Sequence, residues 1–275
     1  MFPAKGICHR RGHLIRYAPK AMTRIKEKLG WVPNLFTLSN LTLGFFSILI
    51  STTSGGNREL LTLSGAFILL AMLCDGLDGF AARLLDARSA LGAQLDSLAD
   101  LTAFGIAPGA LMYSNILSTY NYDVGGGLFL PTGMLISAIF PACAAFRLAR
   151  FNVVHDEDSF AGLPSPVAGV IVALMPLAFG ELIPVPEVVL IVIFVITGFL
   201  MVSTVRYAKP QVTVLRRFSP VRLGIVIAFL AASLVFVGLR YGTDFSAAGL
   251  FTIIVLYVAV GIISLVIHAI QEYRV

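Results

Sequence analysis

Residues 75–100 read DGLDGFAARLLDARSALGAQLDSLAD, and this stretch decides how the rest of the chain is read. Asp75 and Asp78 close one long apolar run, and Asp96 and Asp100 open the next. The first pair is three residues apart and the second four, so each pair shares one face of a helix. Two consecutive antiparallel helices joined by a short turn bring all four carboxylates to one depth.

Those apolar runs are the rule along the chain. Of its 275 residues, 57% are hydrophobic and 13% charged, with a mean hydropathy of +0.89. A soluble domain carries roughly a quarter charged residues. Half that density cannot cover a water-facing surface, which excludes a soluble globular fold. Disorder needs a polar, highly charged composition that is absent here. Cys8, Cys74 and Cys143 lie far apart, two of them inside apolar runs, and read as reduced thiols rather than a disulfide framework.

A bilayer span takes about 20 apolar residues. Eight stretches qualify: about 35–53, 60–82, 92–117, 130–150, 165–183, 187–205, 222–239 and 246–269. The expected fold is therefore all-α, a polytopic membrane helix bundle. With the N-terminus inside, every one of the 20 Lys and Arg residues except Arg58 and Arg240 falls on the cytoplasmic side. That asymmetry predicts cytoplasmic termini and reports topology rather than nucleic-acid binding. Residues 1–30 form a basic segment without a secretory core. Lys20, Arg24, Lys26 and Lys28 alternate with Ala21, Met22, Ile25 and Leu29, a pattern for an amphipathic interfacial helix. No repeat and no long polar linker divides residues 31–275, which read as a single transmembrane domain. No organelle-targeting pattern is visible, which fits the plasma membrane of a prokaryote.

Four carboxylates at a membrane edge are costly unless they have a task. They bind divalent cations, stay partly protonated along a proton or cation pathway, or pair with Arg83 and Arg88. Two arginines do not neutralise four acids together with Asp86. Oxygen ligands without His or Cys favour Mg²⁺, Mn²⁺ or Ca²⁺. Gly76, Gly79, Ala81, Ala82 and Gly92 clear bulk from around the acids. That leaves room for a ligand whose phosphates complete a metal's coordination.

The order Asp75-x2-Asp78-Gly79-x2-Ala82-Arg83-x8-Gly92-x3-Asp96-x3-Asp100 matches, at all eight defined positions, the signature of the CDP-alcohol phosphotransferases, and the chain resembles that family. Pro33-Asn34-x2-Thr37, the stretch 146–152 (FRLARFN), 162–166 (GLPSP) and 201–207 (MVSTVRY) resemble its serine-using branch. The resemblance covers about residues 33–210. It implies transfer of the phosphatidyl group from CDP-diacylglycerol to L-serine, giving phosphatidylserine and CMP, by a homodimer among membrane lipids. It implies Mg²⁺ or Mn²⁺ held by Asp75, Asp78 and Asp96 with Asp100 as partial ligand, and Asp100 as general base. Asp75, Gly79, Ala82 and Arg83 would contact the CDP moiety. The family core has six spans, so the last two add nothing specific.

An acceptor with a carboxylate needs a cation. Arg147 and Arg150, near the end of the fourth span, are candidates for bidentate recognition, with Asn152 beside them. Their other reading is positive-inside anchoring. Arg206, Lys209, Arg216, Arg217 and Arg222 suit anionic headgroups. Two rival functions remain at this level. One is the same chemistry with glycerol 3-phosphate or inositol phosphate as acceptor. The other is an ion-coupled transporter, which predicts broken helices at the bilayer midplane and repeat symmetry.

Overall fold

The computed structural model describes residues 31–85, 89–125, 128–153, 160–179, 183–203, 206–207, 242, 244–256 and 258. The expected interfacial helix within 1–30 and the stretch 222–239 lie outside them, as do Asp86, Arg88, Lys209, Arg216, Arg217 and Arg222.

Helix α1 (Val32–Thr53) starts with Pro33 in its first turn, where a missing N–H costs nothing. It turns through Gly55 and Gly56 into α2 (Arg58–Leu85). Helix α3 (Ala90–Leu101) runs through a π-helical turn (Thr102–Ile106) into α4 (Ala107–Asn115). The π turn has a local cause. Pro108 has no N–H to offer the Phe104 carbonyl, and the Ala107 N–H reaches back to the carbonyl of Thr102, five residues away. The expected third span is thus one helix with an offset in it.

Strands β1 (Tyr122–Gly125) and β2 (Leu128–Leu130) pair antiparallel at the far end of α4. Then come α5 (Thr132–Val153), α6 (Ser165–Ala178), α7 (Glu187–Val202) and α8 (Asp244–Leu256). Two-residue strands β3 (Phe160–Ala161) and β4 (Arg206–Tyr207) pair antiparallel. The short strands are additions to the all-helical expectation. Helices α1, α2 and α5 are long and apolar enough to cross a membrane, whereas α6, α7 and α8 are shorter apolar helices.

The packing follows membrane rather than aqueous logic. Phe45, Phe46, Leu49, Leu70, Leu73 and Leu135 point outward, while Thr37, Asn40, Ser47, Ser51 and Ser64 are buried. Small residues let backbones touch and short polar side chains join them. Ser47 and Ser64 hydroxyls lie 2.8 Å apart across the α1–α2 seam. The larger apolar core joins α4, α5, α6, α7 and α8, with Phe140 stacked on Phe194 at 4.9 Å.

The central rod, α3 through α4, has α1 on one side and α5 on another. A Cβ added to Gly44 of α1 would stand 2.6 Å from the Cα of Ala103, and one added to Gly105 would stand 2.9 Å from the Cβ of Ala144 on α5. Both seams are closed to any side chain. At the end away from the aspartates, Arg58 pairs with Asp244 at 2.8 Å, the Tyr120 hydroxyl donates to Glu187 at 3.3 Å, and Phe179 packs edge-on against Phe251. These contacts join α2 to α8, the turn after α4 to the start of α7, and the end of α6 to α8, as an alternating up-and-down path requires.

Gly44→Ala should force α1 off the rod, because backbone atoms cannot swing aside as a side-chain tip can. Overpacking of this kind costs about 1–3 kcal/mol. Thermal unfolding in detergent should show the loss, and an unchanged midpoint would mean that the α1 seam is slack.

Candidate active site

The four aspartates come together because two helices meet at one end of the bundle. Asp75 and Asp78 lie in the last three turns of α2, whose first turn carries Glu59 and whose last carries Arg83, both favourable to its dipole. Helix α3 is started by Ser89. This residue has extended backbone, and its hydroxyl accepts the Gly92 N–H at 2.9 Å, a standard N-cap contact. That fixes the phase in which Asp96 and Asp100 leave α3.

Asp75, Asp78 and Asp96 each place one carboxylate oxygen within 4.8 Å of the others. A hard cation with oxygen ligands at about 2.0–2.6 Å spans such a set. The donors are carboxylates alone, which suits Mg²⁺, Mn²⁺ or Ca²⁺ rather than zinc. Asp100 lies behind the trio. It is within hydrogen-bonding reach of Asp75, but its Oδ1 is buried without a partner among the described residues.

The trio has support that the aspartate spacing does not reveal. The Thr37 hydroxyl donates to Asp78 Oδ2 at 2.9 Å, and it also lies 3.1 Å from the Pro33 carbonyl. Asp78 is only 7% exposed. A carboxylate this deep is held at one angle by that bond. In the sequence, Thr37 stood out only within Pro33-Asn34-x2-Thr37.

In front of Asp78 and Asp96 opens a cavity of about 220 Å³, lined also by Asn34, Thr37, Gly79, Ala82, Ser89 and Gly92. Neither Gly76 nor Gly79 has anything within 4 Å of an added Cβ, so their small size is not used for packing. Gly92 differs, since its added Cβ would approach Asn34 Oδ1 at 3.2 Å. Arg83 is exposed at the end of α2, outside the cavity lining.

The three acceptor-side candidates separate. Arg147 is buried, and its Nη1 donates to Ser165 Oγ at 2.8 Å, while its Nε has no partner among the described residues. It is close enough to Asp100 for a direct charge interaction. Arg150 donates to the carbonyls of Val202 at 3.0 Å and Ser203 at 3.3 Å, so it caps the C-terminal end of α7. Asn152 donates to Ser97 Oγ at 3.0 Å and thereby joins α5 to α3.

The three outlying stretches of the sequence meet here. Leu163 N–H donates to the Leu200 carbonyl at 2.9 Å, β3 pairs with β4, and Arg150 grips the end of α7. Gly162 has φ +87°, and an added Cβ would strike the Met201 carbonyl, so only glycine fits. Ser165, buried at the start of α6, is the residue by which the GLPSP stretch touches the site.

With this geometry in view, the comparisons with known proteins are direct. Residues 30–202 match the CDP-alcohol phosphatidyltransferase family. The chain belongs to that family. It is 36% identical over 181 residues to the CDP-diacylglycerol–serine O-phosphatidyltransferase of Helicobacter pylori strain ATCC 700392 / 26695, covering 64% of this chain and 70% of the relative. The protein of that name from Methanocaldococcus jannaschii is 32% identical over 184 residues, covering 66% and 76%. That from Bacillus subtilis strain 168 is 30% identical over 156 residues, covering 56% and 80%. The family match takes in all four aspartates and Arg147.

Removing the Thr37 hydroxyl frees Asp78 to rotate. Groups that orient a metal's ligands are typically worth about 10–100-fold in affinity. Thr37→Val should therefore weaken Mn²⁺ binding by that order, measured by electron paramagnetic resonance of free Mn²⁺. Unaltered affinity would separate Thr37 from the carboxylate trio.

Proposed function

We propose that this chain transfers the phosphatidyl group of CDP-diacylglycerol to the hydroxyl of L-serine, releasing CMP and forming phosphatidylserine. The observation that carries the reading is the meeting of two unlike things at Asp100: a cluster of carboxylates beside a cavity, and a buried arginine with a donor to spare. The first suits a diphosphate carried by metal, and the second suits an acceptor that bears a carboxylate.

Asp75, Asp78 and Asp96 would hold the divalent cation, Mg²⁺ or Mn²⁺, with Asp100 as a partial ligand. Bound there, it would neutralise charge on the donor's diphosphate and on the CMP that leaves. Gly79 and Ala82 leave the cavity open to the cytidine moiety, and Asn34 and Ser89 offer it polar partners. Asp75 would touch the diphosphate side of the donor. Arg83, exposed at the end of α2, would meet the CDP moiety from the solvent side.

The serine oxygen attacks the phosphorus that bears the diacylglycerol. The new O–P bond forms as the bond from that phosphorus to the CMP oxygen breaks. The serine proton goes to Asp100, whose Oδ1 is buried and available. A carboxylate is a weak base for an alcohol, so positioning contributes much of the rate. Arg147 would fix the acceptor carboxylate through Nε, and its Nη1 bond to Ser165 supports that role by holding the other edge. Arg150 and Asn152, occupied with α7 and Ser97, shape the pocket wall. Acceptors that carry a phosphate would call for more basic charge than one buried arginine supplies.

The lipid tails of donor and product stay in the bilayer while the heads react at its edge. The positive-inside asymmetry supports termini and an active site on the cytoplasmic side, and the membrane in this reading is the plasma membrane. Family resemblance supports a homodimer.

Purified protein given CDP-diacylglycerol, Mg²⁺ or Mn²⁺ and a panel of alcohols should release CMP with serine. Release with glycerol 3-phosphate or inositol phosphate instead would move the chain to another acceptor class. Asp100→Asn should lower kcat by about 10²–10⁴-fold, the usual worth of a general base, with CDP-diacylglycerol affinity kept. A parallel collapse of nucleotide affinity would make Asp100 chiefly a metal ligand.

Arg147→Lys keeps the charge and loses the planar fork. A charged hydrogen bond contributes about 1.5–3 kcal/mol, so kcat/KM for serine should fall roughly 10–150-fold. The KM for CDP-diacylglycerol should hold steady. Parental serine kinetics in this variant would leave Arg147 a structural cation.

A further inference from the structure

Asn40 is fully buried in α1, and neither its Oδ1 nor its Nδ2 has a hydrogen-bond partner among the described residues. A buried carboxamide with nothing to bond to is costly and uncommon. Its neighbours on the same face do have tasks. Thr37, one turn earlier, bonds Asp78, and Ser47, two turns later, bonds Ser64. Asn40 belongs neither to the signature around the aspartates nor to the candidate acceptor residues on α5.

Its level in the bundle follows from the contacts that bracket it. On the α2 side, Thr37 faces Asp78 and Ser47 faces Ser64, so the antiparallel register sets Asn40 level with Cys74 and Asp75. On the α3 side, Asn34 faces Gly92 and Gly44 faces Ala103, so the parallel register sets Asn40 level with Ala99 and Asp100. Asn40 therefore stands level with the Asp75–Asp100 pair, on the α1 side of the rod.

Arg147 stands on the other side. Helix α5 meets the rod where Asn152 bonds Ser97 and Ala144 abuts Gly105, which brackets Arg147 near Asp100 and Thr102. Asp100 is thus flanked by α1 on one hand and α5 on the other. Every buried side-chain atom without a partner among the described residues belongs to this group: Asn40 Oδ1 and Nδ2, Asp100 Oδ1 and Arg147 Nε. Unpaired polar atoms at one level of the bundle are what a polar ligand that pairs them would leave.

We propose that Asn40 is an acceptor-reading residue, whose carboxamide oxygen receives the ammonium group of the amino-acid substrate. This rests on the serine reading above, and it divides the substrate's three polar groups among three helices. The hydroxyl faces Asp100 Oδ1 on α3, the carboxylate faces Arg147 Nε on α5, and the ammonium faces Asn40 on α1. An ammonium group is repelled by the guanidinium that draws the carboxylate, so it turns to the opposite wall. The wall there holds Asn40 and the carboxylate of Asp75. An amide presents either edge by rotating about one bond, and with no other partner among the described residues the orientation of Asn40 is set by what it binds.

Asn40→Leu keeps the branched heavy-atom outline and removes both unpaired polar atoms. Its thermal midpoint in detergent should match or exceed that of the parent. Its kcat/KM for serine should fall roughly 10–150-fold, the worth of one charged hydrogen bond, with the KM for CDP-diacylglycerol within about twofold. The decisive comparison uses 3-hydroxypropionate, which is serine without the ammonium group. Asn40→Leu should react with it at the parental rate, so that the preference for serine over this analogue collapses. Asn40→Ala, which fits wherever leucine does not, should collapse the same preference.

Equal losses with both acceptors would overturn the proposal and make Asn40 a packing residue. A raised KM for CDP-diacylglycerol with serine kinetics intact would overturn it by placing Asn40 on the donor side. A parent that releases no CMP with serine would overturn the serine reading itself, a result visible before any variant is made.

Discussion

Like charges must be held together at one end of this bundle, and most of the architecture serves that constraint. Carboxylates within 4.8 Å of one another repel strongly unless something positive lies between them. The chain supplies no ion pair that does this among its described residues. It supplies instead a frame that keeps the helices from relaxing apart. Gly44 lets α1 rest against the backbone of Ala103, Thr37 ties α1 to Asp78, and the Ser89 cap fixes where α3 begins. Close backbone packing thus sets the spacing at which the carboxylates stand.

The frame is polar where a soluble protein would be apolar. Serines and a threonine fill the seam between α1 and α2, and phenylalanines and leucines face outward. Apolar contact offers no preference between a helix neighbour and a lipid tail, so close approach and short hydrogen bonds must hold the seam. The apolar core lies where α5, α6 and α7 meet the far half of the rod.

Much of this was legible in the sequence. The spacing of Asp75, Asp78, Asp96 and Asp100 placed two pairs on facing helices, and the structure brings three of them to one point. Helix positions followed from apolar runs, and the described helices fall on those runs. The π turn at 102–106 was not visible, because it depends on which carbonyl loses its partner to Pro108 rather than on hydropathy. Arg147 and Arg150 are equivalent in sequence, three apart on one helix. They part only because Ser165 meets one and the end of α7 meets the other. Asn40 looks in sequence like a tolerated polar residue in a span, and only its burial without a partner sets it apart.

The contacts around the site fall into two halves. Helices α1, α2 and α3 share one set of ties, and α5, α6 and α7 share another, closed by Arg150, Leu163 and the β3–β4 pair. At the site end, among the described residues, Asn152 bonds Ser97 and Arg147 comes within reach of the Asp100 charge across the two halves. The carboxylate frame on α1, α2 and α3 is thus tied together largely independently of the α5–α6–α7 half. Substitutions along α5 and the loop before α6 would reach Arg147 and Ser165 without touching the ties that hold the carboxylates, so one wall of the room could be rebuilt while the frame of the opposite wall stays standing.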